Sequence, residues 1–287
     1  MIIWTLAKAT IADAMRKKVL QIFLVVAIGL IVISFTFSQT LSFSTREGSS
    51  ADLMLVKSFG LGLMALAGAL ISLVMGVQLI PQEIERRTIY TILAKPVKRY
   101  EFIIGKFVGA ILTLAINIGM MGVVFVATVM IKAHGSQAAA VSAASGAANL
   151  AGAGQSVGLF DVNTLWGVVM IYLQFMVLSS VVLFFSVFFT PIVNFFMGMG
   201  VYVIGLMGSL TETLAKADGA SAFIKGFYKV VHVIIPNFDK FNVTNTLLHP
   251  EGIANLPKYV TGVALYSIIY VLIMMLAAVI IFEKKEV

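Results

Sequence analysis

IPQEIERRTIYTILAKPVKRYEFIIGK, residues Ile80–Lys106, is the stretch on which the reading of this chain turns. Before it runs FGLGLMALAGALISLVMGVQL (Phe59–Leu79) and after it FVGAILTLAINIGMMGVVFVATVMI (Phe107–Ile131), neither with a charged residue. Between them stand Glu83, Glu85, Arg86, Arg87, Lys95, Lys98, Arg99, Glu101 and Lys106. A charge at the centre of a bilayer costs roughly 2.5–3.5 kcal/mol even on the lenient insertion scale. The charged stretch therefore sits in water close to a membrane, and the apolar stretches on either side cross it. Such a segment has two readings. One is a basic loop that satisfies the positive-inside rule. The other is a docking element on which a soluble partner pushes.

Composition supports the membrane. The chain has 287 residues, of which 60% are hydrophobic and 11% charged, and its mean hydropathy is +1.02. A soluble domain carries about 25% charged residues. The expected fold is all-α, a single polytopic helical membrane domain over residues 1–287. A net charge of +7 and a pI near 9.5 point to anionic lipid headgroups as neighbours, and no nucleic-acid-reading motif accompanies the charge. The absence of cysteine excludes disulfides, thiolate catalysis and cysteine-ligated metal. His134, His232 and His249 are too far apart for helical metal-ligand spacing, so no metal site is expected.

Six spans are expected, at about 19–37, 59–79, 107–131, 165–189, 192–210 and 259–282. Residues 1–18 read as an amphipathic helix, with Ile3, Trp4, Ala7, Ile11, Ala14 and Met15 on one face and Thr5, Lys8, Asp13, Arg16 and Lys17 on the other. That pattern suits the membrane interface. A signal peptide is disfavoured, because the following apolar run is too long and no A-x-A-like site appears. Gly68, Ser72 and Gly76 recur every four residues in the second span, and Gly198, Gly200, Gly205 and Gly208 stud the fifth. Small residues at this spacing let helix backbones approach, within one chain or between subunits. Residues 136–158, rich in Ala, Ser and Gly, read as a mobile or weakly helical loop, or else as a marginal helix. Phe184, Phe185, Phe188, Phe189, Phe195 and Phe196 crowd the turn between spans four and five and read as packing and interface anchors. In the outer segment 211–258, Phe223, Ile224, Phe227, Val231 and Ile234 share a helical face, giving an interfacial helix ended by Pro236.

Six spans place both ends on one side. With the ends inside, the inner side holds twelve Lys and Arg residues in short segments; the outer side holds eight, in far longer loops. This density orients the protein with cytoplasmic termini and a cytoplasmic Ile80–Lys106. None of the six spans contains an ionisable Asp, Glu, Lys, Arg or His, which argues against proton-coupled transport. There is no G-x-x-x-x-G-K-[ST] loop and no zincin, nucleophile-elbow or paired-carboxylate arrangement. The chain is therefore not expected to be an enzyme, and its energy must come from elsewhere.

At this point the central stretch resembles the permease subunits of ABC (ATP-binding cassette) transporters of the type-2, export-type family. In that family an acidic pair follows the second span, then come a Thr, a Leu pair, a Pro, an Arg, and a Gly-Lys opening the third span. Here Glu83 and Glu85, Thr88, Ile92-Leu93, Pro96, Arg99 and Gly105-Lys106 stand at the matching positions. The family commonly has Gly before the Thr, where this chain has Arg87, a departure that bears on the local turn. IIPNFDKFNVTN (Ile234–Asn245), the last span and IFEKKE (Ile281–Glu286) look like the C-terminal half of the bacterial members.

The resemblance implies a homodimeric or heterodimeric permease of the inner membrane, powered by two separate cytoplasmic ATPase subunits that bind ATP and Mg. It implies an elbow helix at the N-terminus and a coupling helix after span two, formed by residues of the segment 80–106. There Ile89, Ile92 and Leu93 would make apolar contacts and Pro96 would end the helix. Arg86, Arg87 and Arg99 would pair with acidic groups on the ATPase, with Glu83 and Glu85 orienting them or holding the elbow, and Thr88 and Lys106 bounding the element. It also implies that spans two and five, through Gly68, Ser72, Gly76, Gly198, Gly205 and Gly208, line the dimer interface or substrate path. A path without charges suits lipidic, amphipathic or peptide-like cargo. Two rival readings are a mechanical transmitter acting on a periplasmic partner without solute flux, and a membrane scaffold without an ATPase.

Overall fold

A computed structural model describes residues 2–42, 49–79, 98–145, 162–208, 213, 235–242 and 256–284. They form seven α-helices and one 3-10 turn, with no strand among the described residues. The helices are α1 (Ile2–Arg16), α2 (Lys18–Ser42), α3 (Ser49–Leu79), α4 (Arg99–Ser145), α5 (Val162–Ser186), α6 (Pro191–Leu206) and α7 (Leu256–Lys284); the 3-10 turn is Phe238–Phe241.

α5 is the centre of the bundle. It packs against α3, α4, α6 and α7, and 67% of its most apolar window is buried within the chain. Its apolar residues surround the whole helix, as a helix enclosed on all sides requires. α7 is the opposite case, with 28% of its window buried. Its buried residues Val260, Val263, Ser267, Val271, Met275, Ala278 and Phe282 step by three and four along one stripe, while Leu265, Ile268, Ile269, Leu272, Ile273, Leu276 and Ile280 are exposed. Apolar side chains need no cover in hydrocarbon, so this face is the lipid face.

Among the described residues, four helices are long and apolar enough to cross a membrane, and α1 with α2, bent by 66°, makes a fifth if the pair is one span. α6 has 16 residues among those described, below the roughly 20 of a full crossing. Against the six expected, the described residues thus hold four or five crossings. The ends differ from expectation in one direction. α2 continues to Ser42, α3 starts at Ser49 and α4 runs from Arg99 to Ser145, well past the apolar windows. Hydropathy marks where a helix meets lipid, and backbone hydrogen bonding carries it further wherever no breaker intervenes. The Ala-rich run to Ser145 is such a case, since Ala has the highest helix propensity. That part of residues 136–158 is helical; residues 146–158 lie outside the described residues, as do the expected interfacial helix from Phe223 to Ile234 and Asn245.

α1 packs through part of its expected apolar face. Its buried residues are Ala7, Thr10 and Ala14, turned onto the first part of α4, while Trp4 is 54% exposed. The packed stripe is therefore the small-residue edge of the apolar face. A Cβ added at Gly105 would stand 2.7 Å from Leu6 Cβ, and one at Gly109 2.6 Å from Thr10 Cβ and 3.0 Å from Ala7 O. Two glycines one turn apart on α4 thus admit α1 at backbone distance. Gly109→Val is expected to cost about 1–3 kcal/mol through overpacking and to lift α1 off α4. Faster hydrogen exchange across residues 2–16 is the expected reading; unchanged protection would count against it.

The α5–α6 hairpin breaks where the sequence is crowded with aromatics. Phe188 and Phe189 N–H both donate to Phe185 O at 3.0 Å, and Pro191 opens α6 at a position where its missing N–H is not needed. The ring of Phe184 lies 5.4 Å from that of Phe188, and that of Phe185 6.0 Å from that of Phe189, so the turn is sheathed in aromatic surface.

Candidate functional site

Three elements converge at one end of the bundle. α1 lies on the start of α4, and Phe282, near the end of α7, stacks on Phe102 with centroids 6.2 Å apart. The start of α4 is capped by Lys98 N–H donating to Glu101 Oε2 at 3.1 Å, the reach-back half of a capping box. Lys106 is 8% exposed and its Nζ lies 5.7 Å from the Phe102 ring centroid. Arg99 opens α4 at the same end. The described part of the segment 80–106, namely Lys98–Lys106, is therefore bound to both the first and the last helix. Glu83, Glu85, Arg86, Arg87, Thr88, Ile92, Leu93 and Pro96 lie outside the described residues.

The small-residue stripes form a seam among α3, α5 and α6. A Cβ at Gly68 would come 2.5 Å from the Phe175 ring, and one at Gly76 would overlap the Cγ1 of Val182. The pairing of 68 with 175 and 76 with 182 means that α3 and α5 run in the same direction. α6 runs the other way, with Gly198 against Leu73 and Val182, where an added Cβ would be 2.7 and 2.8 Å away. Ser72 Oγ donates to Phe175 O at 3.5 Å, and Asn194 Nδ2 donates to Gly76 O at 3.3 Å. Both side chains are fully buried. Among the described residues, two buried atoms in the seam's helices have no hydrogen-bond partner, Ser179 Oγ and Asn194 Oδ1. Orphan polar atoms away from water are costly, and they mark a seam whose present packing does not satisfy every group.

Gly205 and Gly208 serve a different contact. A Cβ at Gly205 would stand 2.6 Å from Pro236 O and overlap the Phe238 ring; one at Gly208 would stand 2.5 Å from Asn237 Oδ1. Residues 235–242 thus clamp the far end of α6. Asn237 Oδ1 accepts from Asp239 N–H at 3.0 Å, Asn237 N–H donates to Tyr266 Oη at 3.3 Å, and Tyr259 Oη donates to Lys240 O at 2.8 Å. Phe238 and Phe241 are buried, and rings step from Phe175 to Tyr202, Phe238, Phe241, Tyr266 and Tyr270 at 5.6–6.3 Å. Six of the seven small residues singled out in the sequence thus make close approaches within the chain; an added Cβ at the seventh, Gly200, meets no described atom within 4 Å.

Sequence reasoning passed over three neutral groups: Asn194, Gln174 and the phenols of the ring ladder. It asked where ionisable residues lay within spans. Asking the same of amides would have singled out Gln21, Gln78, Asn117, Gln174 and Asn194, of which Asn117, Gln174 and Asn194 are buried.

A bundle of long apolar helices with lipid-facing stripes and charged residues gathered at its ends defines a multi-pass helical membrane protein. The whole stretch 4–287 matches the family described as ABC-2 family transporter protein, and the chain belongs to that family. A comparison with curated proteins gives no match.

Proposed function

We propose that the chain is the transmembrane permease subunit of an ATP-driven exporter, with ATP and Mg bound on two separate cytoplasmic ATPase subunits. The observation that carries this reading is the family match across nearly the whole chain. The convergence of α1, the start of α4 and the end of α7 supports it, because a partner that moves residues 80–97 gains a grip on three helices at once. Six crossings follow if the bent pair counts as one and α6 as another. Both termini then lie in the cytoplasm of a cell with an inner membrane. The cargo class is lipidic, amphipathic or peptide-like.

A second permease copy or a paralogue would sit against the outward edge of α3 and α6. Gly68, Gly76, Gly198 and Gly205 make close contacts within the chain, while Phe59, Leu66, Ile192, Val193, Phe196 and Val203 are exposed on these helices. The transmitter reading has its own support in the clamp. Because residues 235–242 are fastened to α6 and α7, movement of α6 would be carried to the outer segment and to any periplasmic partner.

Two variants test the coupling. Leu93→Asp, and separately Arg86→Ala with Arg87→Ala, are expected to lose the ATPase on affinity purification in detergent, or to retain it with hydrolysis uncoupled from reconstituted flux. Normal copurification together with unchanged hydrolysis and flux in both variants would sink the proposal. A wild-type chain that brings down no ATPase favours a scaffold.

A further inference from the structure

Positive charge gathers at the bend between α1 and α2. Lys8, Arg16, Lys17 and Lys18 precede the apolar run of α2, and Asp13 is the one carboxylate in residues 1–45. That carboxylate is taken, with its Oδ2 3.1 Å from Lys17 Nζ. Arg16 and Lys18, on either side of Lys17, are exposed. The corner they flank is fixed by hydrogen bonds across the break. Gln21 Nε2 donates to Met15 O at 2.8 Å, and Leu20 N–H donates to Lys17 O at 3.2 Å.

One stripe of α2 continues from this corner. Lys18, Ile22, Val25, Val26 and Gly29 recur on it at helical spacing. Ile22, Val25 and Val26 are 59%, 67% and 52% exposed, and a Cβ added at Gly29 meets no described atom within 4 Å. At 1.5 Å per residue the stripe runs about 16 Å from Lys18 to Gly29. Half of a bilayer's hydrocarbon core is about 15 Å. The stripe thus has the length of one leaflet, is open and apolar along its course, and carries excess positive charge at its head. A phospholipid has the complementary order, an anionic group followed by an acyl chain of that length. α7 makes the contrast. Its exposed apolar face ends at Glu283 and Lys284, opposite charges side by side.

We propose that the α1–α2 corner binds an anionic phospholipid, with Arg16 and Lys18 on the headgroup and an acyl chain laid along Ile22, Val25, Val26 and Gly29. A zwitterionic headgroup brings no net charge to the corner and is selected against. The site requires only that the chain lie in a bilayer and does not depend on an ATPase or on flux.

The test uses the full chain reconstituted in phosphatidylcholine bilayers, with brominated phosphatidylglycerol or brominated phosphatidylcholine as quencher. Ile22→Trp, with Trp4→Phe and Trp166→Phe, places the only fluorophore on the stripe. Its quenching is expected to show phosphatidylglycerol bound about five- to thirtyfold more tightly than phosphatidylcholine, about fivefold for each cation near the headgroups. Arg16→Gln with Lys18→Gln changes exposed side chains alone, and is expected to bring the ratio close to one. Leu276→Trp in the same background reports from the exposed face of α7 and is expected to show a ratio close to one throughout. Equal binding of the two lipids at Ile22→Trp overturns the proposal. So does a preference that survives loss of both cations, or one equally strong at Leu276→Trp. Glu83→Gln with Glu85→Gln is expected to leave the preference unchanged. A preference that emerges only in that variant would show that the chain's own carboxylates occupy the corner, and would also overturn the proposal.

Discussion

Leucine at Gly76 is expected to destabilise the protein by about 3 kcal/mol, the upper part of the range for overpacking a filled core, while leucine at Gly62 is expected to leave it unchanged or slightly more stable. Both glycines lie on α3, and both replacements raise helix propensity by about 1 kcal/mol. What differs is the space each side chain meets. A Cβ at Gly76 would overlap the Cγ1 of Val182 and lie 2.8 Å from its Cβ, close to the α5 backbone, where a rotamer change brings no relief. At Gly62 no described atom lies within 4 Å of an added Cβ. The pair thus separates packing from propensity inside one helix. Gly198→Leu should behave like Gly76→Leu, since it presses on the same Val182 and on Leu73, and Gly200 supplies its open control. Because Gly76 and Gly198 share a neighbour, the double variant should cost less than the sum. Thermal unfolding of the purified protein in detergent is the measurement. Equal midpoints for the Gly62 and Gly76 variants would show that the seam is not close-packed.

The second large effect is expected at Phe238. Its side chain is fully buried between Tyr202 and Phe241, and truncation to Ala should cost about 3–5 kcal/mol, as for other buried Phe residues. Phe196→Ala, on a side chain 68% exposed, should cost little. Loss of the ring also unfastens residues 235–242 from α6, so hydrogen exchange should rise there and at the end of α6 before it rises in α5. Gly205→Val should produce the same local release from the other side, because its side chain would press on Pro236 O and on the Phe238 ring. A uniform rise in exchange across the bundle would refute a local clamp.

The sequence disclosed the helices by their apolar runs, and the membrane by the near absence of charge within them. It did so because a lipid-facing helix has no freedom to be polar. Helix ends were less legible. Ser38–Ser42 and the Ala-rich run to Ser145 lie beyond the apolar windows, and hydropathy does not report backbone hydrogen bonding in water. The spacing of Gly68, Ser72 and Gly76 announced a close approach, but a single strand of sequence does not say which helix approaches. Val182 and Phe175 are far away along the chain, and nothing in a row of glycines distinguishes α5 from a neighbouring subunit. In IIPNFDKFNVTN only Ile234, on a helical face, and Pro236, as a helix end, had a physical reading; residues 237–245 were visible only as a likeness. Its logic lies in the third dimension, where Pro236, Asn237 and Phe238 fill the grooves above Gly205 and Gly208. The apolar face of α1 was read as one surface. It is two, an edge of Ala7, Thr10 and Ala14 against α4 and a bulky edge with Trp4 outside, because Gly109 draws the α1 backbone in at Ala7 and Thr10.

The length of α4 makes it a lever. Its 47 residues extend about 70 Å at 1.5 Å each, more than twice the roughly 30 Å of hydrocarbon a membrane offers. One arm begins at Arg99, where α1 and the end of α7 hold it, and the other ends at Ser145. A tilt of about 10° about the Arg99 end would sweep the Ser145 end through about 12 Å, by its length alone. Motions too slight to open a path among packed helices are thereby magnified into displacements comparable to the diameter of a helix.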